Sequence, residues 1–215
     1  MELEDRESDF GQGCLQRDGD RCVVTNTLSS EKRKKLEPAN ILPWSFPCYS
    51  ASRKDMITSN LWTTLFQCFP EIRSVVQSDK INEIQNGLTL LSSIHRPFSD
   101  FQCAFEPITD TPHTYKFVTF EGFPAETKAS LRNLPQQINF VTGSPPTPED
   151  RLPHPVLLDC HYRLANIFHA SGMTEAMGKT LRRAKKIKAG SLLEHDGTTD
   201  LASALYYAIW QTVAI

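Results

Sequence analysis

The stretch from residue 37 to residue 105 constrains the fold of this chain more than any other. Near its start, Ala39-Asn40-Ile41-Leu42 has the composition of a short strand. Pro43 ends that strand, because proline has no amide hydrogen to donate to a sheet. Further on, Asn86-Gly87 is a strong turn signal, and the apolar segment after it carries a single histidine, His95. A strand, a turn and an apolar segment in this order predict an α+β fold.

The spacing of apolar residues predicts helices within this stretch. Between residues 52 and 69, apolar residues recur every three or four positions, which is typical of an amphipathic helix inserted after the strand. Pro70 ends it, and a short helical turn is expected over residues 71–76. After Gly87, Leu88, Leu91 and Ile94 follow a loose helical spacing. A helix is therefore expected directly after the Asn86-Gly87 turn.

The N-terminal part of the chain predicts a disordered lead-in followed by a hairpin. Residues 1–13 are acidic and lack periodicity, so we expect them to be disordered. Asp18-Gly19 is a turn signal, and residues 22–25 have strand composition. We expect this strand to pair with residues 36–42 across a wide polar loop.

The C-terminal half predicts two strands, a connection and helices. Residues 103–106 and 115–120 are rich in aromatic and β-branched residues and should form strands. Residues 122–152 are rich in proline and are expected to be an irregular connection. Helices are expected from Pro155 to Gly172, from Thr174 to about residue 190, and over 200–213. The last is apolar almost all round, so it must be buried in this chain or in a homo-oligomer.

These elements predict four regions in a chain of 215 residues: a disordered N-terminus (1–13), an α+β core (14–121), a proline-rich connection (122–152) and a helical C-terminal region (153–215). No apolar run is long enough to span a membrane, and the first residues do not resemble a signal peptide. We expect an intracellular protein, nuclear or cytoplasmic, without membrane association.

Cysteine and charge patterns exclude some classes of site. The six cysteines are scattered without a Cys-x-x-Cys pair, which disfavours a zinc ribbon or a dense disulfide framework. Basic residues gather in two blocks, which are candidates for nucleic-acid binding or for ordinary solvated surfaces. The blocks are Lys32, Arg33, Lys34 and Lys35, and then Arg182, Arg183, Lys185 and Lys186.

Several of these pieces, taken in order, resemble the fungal family of HNH-endonuclease-like proteins. The matching pieces span about residues 15–170. They are Arg17-Asp18-Gly19-Asp20-Arg21-Cys22-Val23-Val24-Thr25, Ala39-Asn40-Ile41-Leu42-Pro43, the helix with Trp62, Asn86-Gly87-Leu88-Thr89-Leu90, His95-Arg96-Pro97-Phe98, Leu152-Pro153, and His161-Tyr162-Arg163.

The resemblance implies a ββα-metal core that holds one divalent cation, Mg²⁺, Mn²⁺ or Zn²⁺, at His95 and cleaves DNA. It places Asn86 as an orienting or bracing residue and a general-base histidine at position 40. That position is Asn40 here. An amide cannot take up a proton near neutral pH, so the expected general base is missing. The family's Phe-Asp after the histidine is also altered, since Ser99 follows Phe98 and Asp100 comes one place late.

Each candidate residue also has a plain structural interpretation. His95 can be a partly buried histidine with a hydrogen-bonded ring, Asn86 part of a turn, and Asn40 a strand-end residue. Three functions therefore stay open. They are a nuclease-like DNA-binding protein with weak or no cleavage, an inactive interaction or regulatory module, and an HNH scaffold reused for a small-molecule reaction. In the third, the pocket would include Ser99 and Asp100.

Overall fold

The computed structural model describes residues 2–28, 35–42, 65–75, 83–132, 135, 137–140, 148 and 151–172. The described helices are α1 (Glu2–Arg17), α2 (Ile72–Val75), α3 (Ser92–Ser99), α4 (Ala125–Ser130) and α5 (Pro155–Ala170). The described strands are β1 (Leu36–Asn40), β2 (Gly87–Leu91), β3 (Cys103–Pro107), β4 (Thr114–Thr119) and β5 (Gln137–Asn139). Helices are thus mixed with small antiparallel sheets, which confirms the predicted α+β class.

The first sheet pairs β1 with β2, which lie far apart in the sequence. The register sets Glu37 opposite Leu90 and Asn40 opposite Gly87. Pro38 faces Thr89, whose backbone N–H and C=O bond to Asp18 and Val23 instead of to β1. Pro38 therefore occupies a position where its missing N–H removes no hydrogen bond between the strands.

The second sheet has the order β3-β4-β5, with both pairs antiparallel. Its interior is aromatic: the Phe105 ring lies 5.8 Å from Phe98, 5.4 Å from Phe117 and 5.6 Å from Phe140, between centroids. Phe98 belongs to α3, so this cluster fixes α3 against β3. That contact matters for function because α3 also carries His95.

The N-terminal region is helical where the sequence predicted disorder. Phe10 and Cys14 are one helical turn apart on α1 and both are buried. They pack against Gly87, where an added Cβ would lie 2.7 Å from the Phe10 ring and overlap the Cys14 sulfur. Gly87 is therefore needed for the close approach of α1 to β2. The acidic composition did not indicate this helix, because the contacts of Phe10 and Cys14 with Gly87 are long-range.

The predicted hairpin between residues 22–25 and 36–42 is wrong. Residues 23–25 form a turn, closed by a hydrogen bond from the Asn26 N–H to the Cys22 carbonyl and by an isolated bridge between Arg21 and Leu28. Asn26 has a positive φ of 57°, which bends the chain back on itself. The strand β1 finds its partner in β2 instead.

The helix predicted directly after Asn86-Gly87 begins later than expected. Residues 84–86 form a 3-10 turn, as the turn signal indicated, but Gly87–Leu91 is strand β2. Leu88 and Leu90 point to one face and are fully buried. Pairing with β1 decides the structure here, because this short apolar run is compatible with either a strand or a helix. The helix α3 starts at Ser92.

Other predictions agree with the structure where it describes them. The strands β3 and β4 match the expected ranges to within about a residue, and α5 runs from Pro155 to just before Gly172, which has a φ of 69°. Of the predicted inserted helix, residues 65–68 are helical, while its earlier part with Trp62 lies outside the described residues. The helices expected after residue 173 also lie outside them.

The region predicted as an irregular connection, 122–152, contains α4 and β5 where it is described. The chain divides into two compact units, Met1–Asn166 and Ile167–Ile215. The second is described only over residues 167–172, the end of α5 and the turn after it. Among the described helices, none is long and apolar enough to cross a membrane.

Candidate functional site

A carboxylate and an imidazole meet where β1 packs against α3. The His95 Nδ1 atom lies 2.8 Å from Glu37 Oε2, and Lys35 Nζ lies 3.0 Å from the other oxygen of the same carboxylate, Oε1. The side chains of His95 and Glu37 are 29% and 26% exposed, whereas that of Lys35 is 79% exposed. The three residues therefore form a charged cluster at the protein surface, open to a ligand from solvent.

The elements explain why these residues meet. Side chains alternate along a strand, so Glu37 and Ala39 share one face of β1, and their partners Leu90 and Leu88 share the same face of β2. The helix α3 covers this face with Ile94, which is fully buried. His95 follows Ile94 and lies at the edge of the contact, half in solvent. The packing of Ile94 on this face therefore brings His95 to Glu37.

The hydrogen bond determines the chemical form of the cluster. Burial opposes ionisation of Glu37, but the hydrogen bonds from His95 and Lys35 outweigh it and hold the pKa of the carboxyl below its usual value. An ionised carboxylate can only accept, so the hydrogen of the contact belongs to His95 Nδ1. In the neutral ring the other nitrogen, Nε2, then carries a lone pair that can bind a cation or accept a proton.

Asn86 braces the end of β1. Its side-chain oxygen accepts a hydrogen bond from the Leu42 N–H at 3.0 Å, and its Nδ2 donates to the Leu42 carbonyl at 3.1 Å. Its backbone carbonyl also accepts from the Ile41 N–H at 2.8 Å. Asn86 is buried, so these bonds satisfy groups that water cannot reach. The residue ties the segment after β1 to the turn before β2.

Asn40 lies apart from the His95–Glu37 pair. It is the last residue of β1, and strand alternation directs its side chain to the face of Pro38 and Gly87, which α1 covers. Its Nδ2 is buried and has no hydrogen-bond partner within the described part of the chain. The structure thus brings Glu37 to His95 on one face of β1 and places Asn40 on the other, at the strand's end.

The remaining predicted site residues are scattered. Ser99 is exposed one turn after His95, and Asp100 lies 3.8 Å from Arg96 in a surface ion pair. Of the predicted nucleic-acid-binding residues, the structure describes Lys35. The others lie outside the described residues: Lys32, Arg33, Lys34, Arg182, Arg183, Lys185 and Lys186.

The Arg17-Asp18 motif, which the resemblance highlighted, holds the sheet together. The two side chains pair through two contacts of 2.8 and 2.9 Å and are only 1% and 7% exposed. Arg17 also donates to the carbonyls of Ile84 and Gly87, while Asp18 accepts from the Thr89 N–H. The pair thus hydrogen-bonds to backbone groups at the edge of β2 that does not face β1, and we call it the β2 clasp.

Sequence reasoning missed Glu37 as a site residue. A signal was present, because Glu37 is the charged residue of β1 and lies three positions before Asn40. Its partner is 58 residues away, however, and only the pairing of β1 with β2 brings α3 over it.

Within the described residues, no group of three or more His, Cys, Asp or Glu side chains could hold a metal ion. His95 supplies one donor atom, Nε2, while both oxygens of the Glu37 carboxylate already contact His95 and Lys35. A Mg²⁺ ion is usually bound through few protein groups together with substrate phosphates and water. The site therefore fits a cation that is shared with a phosphate better than a closed, all-protein site.

Comparison with known proteins identifies one family. Residues 22–106, about two fifths of the chain, match the family model described as HNH endonuclease. The matched segment begins in the turn after the β2 clasp and ends in β3, so it contains Glu37, Asn86 and His95. No curated protein and no solved structure matches the chain. This segment is therefore HNH-like.

Proposed function

We propose that this protein is an HNH-type, nuclease-like protein that binds DNA together with a divalent cation at His95 and cleaves phosphodiester bonds weakly or not at all. The observation that carries the proposal is the 2.8 Å contact between His95 Nδ1 and Glu37, which uses Nδ1 and not Nε2 of a 29% exposed side chain inside the HNH-like segment. A histidine held this way is arranged as a ligand rather than as a core residue.

The arrangement of elements supports a ββα-metal core. The strands β1 and β2 pair antiparallel, and α3 follows β2 directly and packs on the sheet. Asn86 braces the loop side of this unit, as the resemblance implies for that position. These features favour the nuclease scaffold over an unrelated α+β fold.

A bound cation would be held by His95 through Nε2, with the remaining positions supplied by phosphate oxygens and water. When bound, it would neutralise charge on a phosphate. Glu37 would keep the ring oriented. Lys35, largely exposed beside Glu37, would add positive charge at the same place and favour binding of a polyanion.

Cleavage is expected to be weak because position 40 is Asn. General-base catalysis is typically worth about 10²–10⁴-fold, and an amide cannot supply it.

A second candidate, an inactive interaction or regulatory module, is favoured by one observation: among the described residues, no group of three or more His, Cys, Asp or Glu side chains could hold a metal ion. Such a module would keep the fold without binding a cation. Reuse of the scaffold for a small-molecule reaction, with His95 as acid or base, is a third hypothesis. Neither alternative requires DNA binding.

The deciding experiment is a supercoiled-plasmid nicking assay with Mg²⁺, Mn²⁺, Ni²⁺ or Zn²⁺, combined with retention of the same DNA at low salt. We expect the natural protein to retain DNA and to nick it slowly at most, Asn40→His to nick faster, and His95→Ala to lose the cation-dependent part of both. His169→Ala, a half-buried histidine of α5, is the matched control and should behave like the natural protein.

Two results would count against the proposal. DNA retention that is absent at low salt would favour the interaction module. Retention and nicking that are unchanged in His95→Ala would remove His95 from the site. If Asn40→His does not nick faster, position 40 is not where the missing base belongs, and binding without cleavage becomes the leading account.

A further inference from the structure

We propose that Glu37 is the positioning residue of this site: it holds His95 in the Nδ1–H tautomer and turns Nε2 toward the ligand, without being a ligand itself. The identity of the ligand rests on the proposed function, but the positioning does not.

Both oxygens of the Glu37 carboxylate are already engaged within the chain. Oε2 contacts His95 Nδ1 at 2.8 Å and Oε1 contacts Lys35 Nζ at 3.0 Å. A carboxylate that bound a cation directly would have to give up one of these donors. The present geometry instead suits a carboxylate that orients an imidazole, with the imidazole meeting the ligand.

Regular elements hold the two partners in place. Glu37 lies within β1, opposite Leu90, and not in a loop. His95 lies in the first turn of α3, between the fully buried Ile94 and a helix end fixed by the fully buried Phe98. Side chains carried on packed strands and helices keep their geometry better than side chains on loops. The contact is therefore part of the folded core unit rather than a chance surface pair.

The carboxylate selects one of two neutral forms of the ring. A neutral imidazole carries its hydrogen on Nδ1 or on Nε2, and the hydrogen bond at one nitrogen decides which. Because ionised Glu37 can only accept, the form with hydrogen on Nδ1 is favoured and the Nε2 lone pair is left for the ligand. Without Glu37, both forms become accessible and Nε2 is blocked by hydrogen for part of the time.

The test is nitrogen-15 NMR of the histidine rings at pH 8 without added metal, with the His95 signals assigned by their loss in His95→Ala. In the natural protein we expect a protonated Nδ1 and an unprotonated Nε2. Glu37→Ala should give a mixture or the opposite tautomer. Lys35→Ala, which removes the other partner of the same carboxylate, should keep the tautomer of the natural protein.

The position of the His95 ring hydrogen in the natural protein can by itself contradict the proposal. The test therefore remains valid even if Glu37→Ala fails to fold. If the natural protein carries the His95 hydrogen on Nε2, Glu37 does not set the tautomer. The same conclusion follows if a folded Glu37→Ala keeps the tautomer of the natural protein. Loss of the Nδ1–H form in Lys35→Ala as well would also contradict the proposal. The tautomer would then depend on the charges near His95 rather than on its contact with Glu37.

A second measurement links the positioning to the ligand. Titration with Mn²⁺ should show affinity about 10–100-fold weaker in Glu37→Ala than in the natural protein, the usual cost of losing a residue that orients a metal-binding histidine. Equal affinities would contradict the positioning role. A natural protein that binds no Mn²⁺ would contradict the proposed cation site, while the tautomer result would still decide the role of Glu37.

Discussion

His161 shows at the scale of one residue how a histidine in this chain can be purely structural. Its ring is fully buried and stacks on Phe98 and Phe101, with centroids 4.0 and 4.7 Å apart. Nε2 lies 3.1 Å from the Phe98 carbonyl, and Nδ1 has no partner within the described residues. Burial lowers its pKa to about 3, although the hydrogen bond to the carbonyl opposes that shift. His161 is therefore neutral in the folded protein and joins α5 to α3.

This burial predicts a loss of stability in acid. An unfolded histidine has a pKa of about 6.5, so below that pH the unfolded state takes up a proton that the folded state refuses. The contribution of His161 is fully present above pH 6.5 and decreases as the pH falls toward 3, by up to about 1.4 kcal/mol per pH unit.

Urea unfolding at pH 7, 5.5 and 4.5 measures this dependence. Paired carboxylates also lose stability in acid, so the informative quantity is the difference from His161→Phe, which keeps an aromatic ring and cannot be protonated. We expect the phenylalanine variant to lose less stability between pH 7 and 4.5, and His169→Ala to follow the natural protein. Parallel curves for the natural protein and His161→Phe would contradict the burial argument.

At the scale of elements, the stability of the first sheet depends on the hydrogen bonds at the outer edge of β2. The strand β2 has β1 on one side. On the other side, the β2 clasp, Arg17-Asp18, bonds the Gly87 carbonyl and the Thr89 N–H, and the Val23 N–H bonds the Thr89 carbonyl. An unpaired strand edge invites pairing with other chains, so covering it also guards against aggregation. The Arg17-Asp18 part of the motif that resembles the family is thus a structural element at the end of α1.

Removing one member of the clasp should be costly. Arg17→Ala leaves the nearly buried Asp18 carboxylate without its partner, which typically destabilises a protein by about 3–5 kcal/mol. Arg163→Ala breaks a 2.8 Å pair with Asp159 on the surface of α5, where the loss should be no more than about 0.5 kcal/mol. Urea unfolding of both variants at pH 7 measures the contrast. Equal losses would mean that the clasp behaves as an ordinary surface ion pair.

At the scale of the whole molecule, a ligand that binds only the folded protein must raise its melting temperature. If the proposed cation site exists, Mn²⁺ at ten times its dissociation constant adds about 1.4 kcal/mol to the free energy of unfolding. For a chain of this size that corresponds to a rise of about 3–6 °C. The rise is expected for the natural protein and for Asn40→His.

The matched variant for this measurement is His95→Ala, which should not respond to Mn²⁺. Its melting temperature without metal should stay close to that of the natural protein, because His95 is partly exposed and its neighbour Ile94 supplies the packing. A natural protein whose melting temperature ignores Mg²⁺, Mn²⁺ and Zn²⁺ would favour the interaction module. A rise that persists in His95→Ala would place the cation elsewhere.

The amino-acid sequence by itself predicted the elements that depend on neighbouring residues. Aromatic and β-branched runs marked β3 and β4, and Pro155 and Gly172 bounded α5, because strand composition, proline and left-handed glycine act over a few residues. The family resemblance, which rests on short motifs, also pointed to His95 as a candidate and to Asn86 as an orienting or bracing residue. Each of these signals is contained within a short window of sequence.

Only the tertiary structure decided which strands pair and which charges meet. A five-residue strand such as β1 can pair with several others, and the buried contacts of Leu88 and Leu90 favoured β2 over the predicted hairpin partner. The same choice carried α3 over β1 and brought Glu37 to His95 across 58 residues of sequence. Long-range packing sets such contacts, and the residues next to Glu37 or His95 in the sequence do not indicate which side chain each will contact.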